Sequence, residues 1–449
     1  MTKTPQHNIR IISLGCPKNQ IDAEVMAGLL TRAGHRLVLE NDDADVMIVN
    51  TCSFIGPAKE EAIEVILTLA EEKKDRPHLR LIVAGCLSQR YGRDLLTHLP
   101  EVDLFVGTGE VGNIVEHIHR ATQRPRKRTA VITKPSFIMT ADYARILPLN
   151  ATSAYLKISE GCSNRCSYCV IPVLRGKARS RQPEDILREA ESLVQRGIKE
   201  IIVVAQDTTN YGKDLKGRPR LSTVLKDMAK IKNLRWIRLL YAHPAHISTD
   251  LLETIASHEK ICRYLDLPVQ HIDDDILKAM NRKINGAKIR SVISHIRRVI
   301  PNVTLRTSLI VGFPGETPTR FNRLLEFVNE VKFDHLGVFN YSREEGTKAA
   351  ALKSQISEKE KERRRELIMT EQAAISAAIN QNLVGSTQEV LIEGKSDRPD
   401  YDYWGRSPRQ APEIDGVTYV KAPEARVGDF IKCAITAAAT YDLFGEIVH

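Results

Sequence analysis

The sequence predicts an α/β chain in three parts: an N-terminal open α/β sheet domain, a central partial (β/α)6 barrel and a C-terminal small all-β barrel. Three observations carry this. Short apolar runs alternate with helix-length stretches over residues 9–120, and a second, longer alternation begins at Ser153. After about Gln381, short strand candidates sit among Gly, Pro and Asp turns. The expected boundaries are 7–122, a linker over 123–147, 148–380 and 381–449. At roughly 150 residues per domain, 449 residues accommodate three.

In the first part, "IRIISL", "DVMIVN" and "LRLIVAG" read as buried parallel strands. "DAEVMAGLLTRAG" and "PAKEEAIEVILTLAEEKK" read as the amphipathic helices between them. "TQRPRKRT" breaks the pattern with Pro and a charge run, as a solvated linker would. The second part offers six strands: "AYLKIS", "IKEIIVVAQD", "WIRLLYAH", "YLDLPVQ", "TLRTSLIVGF" and "HLGVFNY". Six units are too few for a closed eight-stranded barrel and suit an open one. "SEKEKERRRELIMTEQAAISAAINQN" reads as a long closing helix. The third part, with "TQEVLIEG", "GVTYV", "DFIKCAIT" and "LFGEIV", has the rhythm of a small β-barrel.

Composition sets the compartment and the partners. At 42% hydrophobic and 27% charged residues, the chain is ordinary soluble globular material. No apolar run approaches the roughly 18 residues that span a bilayer, and "MTKTPQHNIR" lacks the apolar segment of a secretory signal. The chain is therefore expected in the cytoplasm with no membrane partner. Thiols stay reduced there, so clustered cysteines point to metal rather than disulfides. The net charge is +9, yet from Leu383 onward seven Lys/Arg face eleven Asp/Glu, a net of −4. The body thus carries +13 and the tail is acidic.

Six of eight cysteines fall in two trios. Cys16, Cys52 and Cys86 each follow an apolar strand, in "IISLGC", "MIVNTC" and "LIVAGC". The carboxyl ends of parallel strands open on one edge, where ligands bind in open α/β folds. Cys162, Cys166 and Cys169, in "SEGCSNRCSYCV", follow the first strand of the second series with C-x-x-x-C-x-x-C spacing. A structural zinc normally takes four protein ligands, often as paired C-x-x-C units, and neither feature is present. A cubane held by three thiolates keeps one iron open for a substrate or cosubstrate. Cys262 and Cys433 lie in strand-like apolar runs and are expected in cores.

This constellation resembles the radical S-adenosylmethionine (SAM) enzymes, in which C-x-x-x-C-x-aromatic-C follows the first barrel strand, as Cys162, Cys166, Tyr168 and Cys169 do here. The resemblance implies that SAM chelates the open iron, with Tyr168 near its adenine. It places Gln206 and Asp207 of "VVAQD" at the SAM amino group, where Gly-Gly-Glu is more usual, and Ile310 and Gly312 of "SLIVGFPGET" beside the adenine. The first trio narrows the resemblance to the radical SAM methylthiotransferases, which carry a second [4Fe-4S] cluster before the barrel and a TRAM barrel after it. Within them, "SLGCPKNQIDAE", "AQDTTNYG", "LDLPVQHI" and "GRSPRQAPEIDG" resemble the branch acting on ribosomal protein uS12. Relatives acting on tRNA usually show Gln-Met-Asn where this chain has Pro17, Lys18 and Asn19.

The resemblance implies a methylthio group added to the β-carbon of a uS12 aspartate. Polar acid–base chemistry cannot remove that hydrogen near neutral pH, so a cofactor must do so. One SAM would supply a 5′-deoxyadenosyl radical at the Cys162/Cys166/Cys169 cluster. A second would methylate sulfur held at the cluster on Cys16, Cys52 and Cys86. An electron donor such as flavodoxin or ferredoxin is implied, and uS12 free or in the small subunit is the expected partner. TRAM modules commonly bind RNA, but a −4 segment is poorly suited to phosphate and better matched to a basic protein. Nucleic acid is thus not the expected primary substrate, and the tail is expected to be a docking module separable from SAM cleavage. Two alternatives stand beside this reading: a tRNA adenosine methylthiotransferase, and a non-catalytic iron–sulfur sensor that docks on ribosomes.

Overall fold

A computed structural model describes residues 6–123 and 128–448. Half of "TQRPRKRT" and the first half of "MTKTPQHNIR" lie outside the described residues. The first sheet comprises β1 (Asn8–Ser13), β2 (Arg36–Leu37), β3 (Val46–Thr51), β4 (Arg80–Gly85), β5 (Leu104–Val106) and β6 (Thr129–Val131). Its order is β2-β1-β3-β4-β5-β6, with every pairing parallel. β3 and β4 are buried at every residue, as central strands covered on both faces should be. The expected helices form over Pro17–Arg32 and Gly56–Asp75.

β6 corrects the picture of residues 123–147 as a linker: Thr129–Val131 extends the first sheet beside β5. Three residues are too few to show a period, which is why the strand escapes a pattern search. The rest of the segment is tied down as well. Arg145 is buried and donates to Glu24 at 3.0 Å and also to Glu189, spanning both neighbouring domains.

All six barrel strands form. β7 (Ser153–Lys157) precedes a small antiparallel ribbon of β8 (Ser159–Glu160) and β9 (Arg179–Ser180). Then come β10 (Glu200–Val204), β11 (Trp236–Leu239), β12 (Ile261–Asp266), β13 (Thr304–Val311) and β14 (His335–Asn340). The parallel order β14-β13-β12-β11-β10-β7 leaves the barrel open, as six units require. Outer helices cover its convex face. Its concave face packs in one apolar cluster with residues of the first domain, among them Ile21, Val25 and Met26 of helix Pro17–Arg32. The long closing helix runs over Glu358–Gln381, capped by the Ser357 hydroxyl.

The tail forms a closed barrel of β15 (Thr387–Lys395), β16 (Tyr403–Arg406), β17 (Thr418–Lys421), β18 (Phe430–Ala438) and β19 (Leu443–Ile447). β16, with glycine in the middle of four residues, is the strand that pattern reading misses. Cys262 and Cys433 are buried in β12 and β18.

This domain is bolted to the partial barrel, which corrects the separable docking module. Glu200 of β10 is fully buried between two arginines: Arg238 of β11, at 2.7 Å, and Arg406 of β16. Arg238 also donates to Pro408 O at 2.7 Å, and Tyr264 Oη donates to Asp415 Oδ2 at 2.7 Å. Burial alone would raise the Glu200 carboxyl, but Arg238 and Arg406 bring it below the ordinary carboxylate value. The loop carrying "GRSPRQAPEIDG" thus closes one side of the partial barrel, an arrangement that net charge gives no hint of.

Candidate functional site

A cavity of about 440 Å³ lies between the first sheet and the partial barrel, and all six expected cysteines line it. Cys16 follows β1 as the residue capping helix Pro17–Arg32, Cys52 follows β3 directly, and Cys86 follows β4 and opens helix Cys86–His98. Glycine makes two of these approaches possible. Gly15 has φ +89°, and a Cβ there would lie 2.6 Å from Cys52 Cβ. Gly161, before Cys162, has φ +80°, and a Cβ would lie 2.3 Å from Lys177 O. Both positions exclude a side chain twice over, by backbone conformation and by space.

Two asparagines, Asn19 and Asn50, to which the sequence reading gave no site role, hold the first trio in register. Asn19 Nδ2 donates to Leu14 O at 3.0 Å and Thr51 O at 2.9 Å, and Asn50 Nδ2 donates to Asn19 O at 2.7 Å. The loops before Cys16 and Cys52 are thereby fastened to one side chain. Spacing carried little sign of this, because two of the three contacts join residues 31 or more apart.

The second trio is anchored through its backbone. Cys162 N donates to Gly176 O at 3.1 Å, Cys169 N to Cys166 O at 3.2 Å, and Ser167 N to Met280 O at 3.0 Å. Arg282 Nη1 lies 3.7 Å from Cys166 Sγ.

Between the trios a buried charge cluster locks the two domains together. Asp22, on helix Pro17–Arg32, pairs with Lys157 and Arg175, each at 2.6 Å. Glu160 pairs with Lys157 at 2.7 Å and accepts from Gln206 Nε2 at 2.9 Å. Burial would push the Glu160 carboxyl up, but Lys157 and Arg175 hold it well below the usual range. At the rim, Glu344 binds Lys59 at 2.8 Å and Arg90 at 2.6 Å, a second bridge between the domains.

Burial raises several of the thiols. Burial, reinforced by Cys86 and Cys16, pushes Cys52 up to about 12. Burial likewise takes Cys169 to about 12 and Cys162 to about 11. Without metal these groups are neutral, so a metal must displace their protons on binding. Among the described residues, no three His, Cys, Asp or Glu side chains are placed to hold a single metal ion. A mononuclear zinc site therefore does not fit. Each trio has the donor set of a cubane with one iron left open, three cysteine sulfurs.

The other expected site residues divide. Tyr168, Gln206 and Ile310 line the cavity. Gln206 Oε1 is buried with no partner, an open acceptor that fits a protonated amine such as that of SAM. Asp207 and Gly312 are not among the residues lining the cavity. Asp207 is consumed inside the fold, accepting from Asn164 at 2.7 Å and Thr209 at 2.7 Å and paired with His246 at 2.9 Å. Gly312 has φ +71°, and a Cβ would lie 2.2 Å from Lys361 Cγ, so it admits the closing helix.

Comparison with known proteins agrees with this layout. Residues 8–107 match the uncharacterized protein family UPF0004, residues 156–328 the radical SAM superfamily and residues 384–448 the TRAM domain. The chain is 56% identical to ribosomal protein uS12 methylthiotransferase RimO of Syntrophus aciditrophicus, over 98% of each chain. It is 49% identical to the protein of that name from Geobacter sulfurreducens, over 99% of each, and 46% identical to that of Clostridioides difficile, over 98% and 99%. Among solved structures, the radical SAM methyltransferase TsrM of Kitasatospora setae superposes with a TM-score of 0.55 at 14% identity, covering 88% of this chain and 82% of that one. At that identity the likeness is one of fold.

Proposed function

Because this chain belongs to the family of radical SAM methylthiotransferases named for ribosomal protein uS12, we propose that it attaches a methylthio group to the β-carbon of a uS12 aspartate, in one cavity serving two [4Fe-4S] clusters. The observation that carries this reading is the meeting of two cysteine trios, from two domains, on that cavity. Cys162, Cys166 and Cys169 would hold the cluster that receives SAM, and Cys16, Cys52 and Cys86 the auxiliary cluster. When bound, these groups supply what side chains cannot: a one-electron reductant, hydrogen-abstracting power and a sulfur bearing a methyl group, with one SAM as methyl donor and another as radical source.

The chain's own part is binding, orientation and exclusion of water. Gln206 Oε1 receives the SAM amino group, while Tyr168 and Ile310 supply an aromatic and an aliphatic wall for its adenine. Phe54, Ile55 and Leu174 make much of the remaining wall apolar, which keeps water from a reactive carbon. The clamp of Asp22, Lys157, Glu160 and Arg175 fixes one trio against the other, so the two cofactors keep their spacing.

Among the described residues no helix is long and apolar enough to cross a membrane. We place the enzyme in the cytoplasm, with an electron donor such as flavodoxin or ferredoxin. The acidic tail matches a basic ribosomal protein better than it matches RNA. Mass spectrometry of uS12 tests the assignment. Cells with this protein are expected to carry one methylthio group on a uS12 aspartate, and cells without it none. Methylthio-adenosine in tRNA, with unmodified uS12, would replace this reading by the tRNA one.

A further inference from the structure

We propose that Arg306 and Lys18 together bind the side-chain carboxylate of the target aspartate and so set both the choice of residue and the position of its β-carbon. The assignment deepens the uS12 reading and rests on it.

Two cations on the cavity wall, Lys18 buried and Arg306 half-buried, lack a hydrogen-bonded anion. Arg306, on β13, carries five N–H donors, yet among the described residues its guanidinium makes no hydrogen bond, and its Nε is buried and unsatisfied. Its nearest carboxylate oxygen, Asp415 Oδ1, is 3.8 Å from Nε, too far for a hydrogen bond. Lys18 is buried on the same cavity, and its ammonium has no hydrogen-bonding oxygen or ion pair among the described residues. Its one close contact is the face of the Tyr241 ring, 3.3 Å from the centroid. Asp266, the register partner of Arg306 on β12, forms an ion pair with neither cation; its Oδ2 accepts from Tyr241 N at 3.0 Å. Lys18 has no ion pair and Arg306 only the long one to Asp415, with its donors unused, so this arrangement suits a binding site whose hydrogen-bonding anion arrives from outside.

The chemistry of the target supplies that anion. An aspartate carboxylate accepts bidentate bonds from a guanidinium and a further bond from an ammonium. Its carboxyl carbon is bonded directly to the β-carbon, so anchoring the carboxylate places the reacting atom. Lys18 lies two residues after Cys16, on the side of the cavity where the auxiliary cluster would present sulfur. The rival anion is the carboxylate of SAM, which belongs with the other trio across the cavity.

The test is a binding cycle on the reconstituted holoenzyme with SAM, using purified uS12 with its target aspartate intact or replaced by asparagine. Wild-type enzyme is expected to bind the aspartate form on the order of 10–100-fold more tightly, as for a charge-assisted hydrogen bond. Arg306→Met should bind both forms alike, near the asparagine level. Lys18→Met should shrink the preference, and Arg306→Lys should restore part of it. A variant that weakened both forms equally would show a structural role and overturn the assignment. So would a wild-type enzyme without preference, or an Arg306→Met enzyme whose uS12 preference persisted while SAM affinity fell. If wild-type enzyme bound neither form, the uS12 reading itself would fall and this one with it.

Discussion

Replacing Cys162, Cys166 and Cys169 together by alanine is expected to reduce SAM cleavage to background, while the same change at Cys16, Cys52 and Cys86 leaves cleavage measurable and abolishes methylthio transfer. The two trios come from different domains and are held by different scaffolds. The first hangs on the Asn19 and Asn50 hydrogen bonds at the sheet edge, the second on backbone bonds to Gly176 and Met280. Alanine removes a thiol from each position without adding bulk, so loss of one trio should leave the other's loops in place. Cleavage and transfer are followed separately, by 5′-deoxyadenosine release and by uS12 mass. An auxiliary-trio variant that still modified uS12 at the wild-type rate would remove that trio from sulfur delivery.

The second large effect is at the junction of the partial barrel with the tail. Glu200→Gln leaves Arg238 buried without its carboxylate and Arg406 with Glu393 alone, at 2.6 Å. Breaking one partner out of a buried charge group costs about 3–5 kcal/mol, enough to lower the denaturation midpoint markedly. Truncation before Leu383 should do worse. It would expose Trp236, which packs edge-on against Phe430 at 4.8 Å, and would strip Tyr264 of Asp415. The truncated chain is expected to aggregate and to lose SAM cleavage along with uS12 binding. A monomeric truncated chain that cleaved SAM at full rate would restore the tail as a detachable docking module.

How far the sequence revealed this depends on the range of each interaction. Strands such as "DVMIVN" and "LRLIVAG" were legible because burial on both faces writes an unbroken apolar run. Cysteines at their ends could be placed on one edge from the parallel topology alone. β6 and β16 were not legible, since three or four residues carry no period. The glycines before Cys16 and Cys162 are a local signal that could have been used: a residue preceding a ligand at a crowded strand end favours positive φ. A motif gives order along the chain but not which face of a loop meets the cavity, so it could not show that the Asp207 side chain turns to Asn164, Thr209 and His246. Arg306 and the Glu200 lock exist only through contacts between distant segments, and no local pattern announces them; Lys18 lies in the stretch that sets this chain apart from tRNA-acting relatives, but its place on the cavity wall shows only in the fold.

The central claim, two separate clusters facing one cavity, is tested most directly by counting iron and labile sulfide after anaerobic reconstitution. A cubane holds four irons, so the wild-type chain should bind about eight, and each triple-alanine variant, Cys16/Cys52/Cys86 or Cys162/Cys166/Cys169, about four. A single cluster bridging both trios would instead lose nearly all its iron in both variants, and that result would contradict the account.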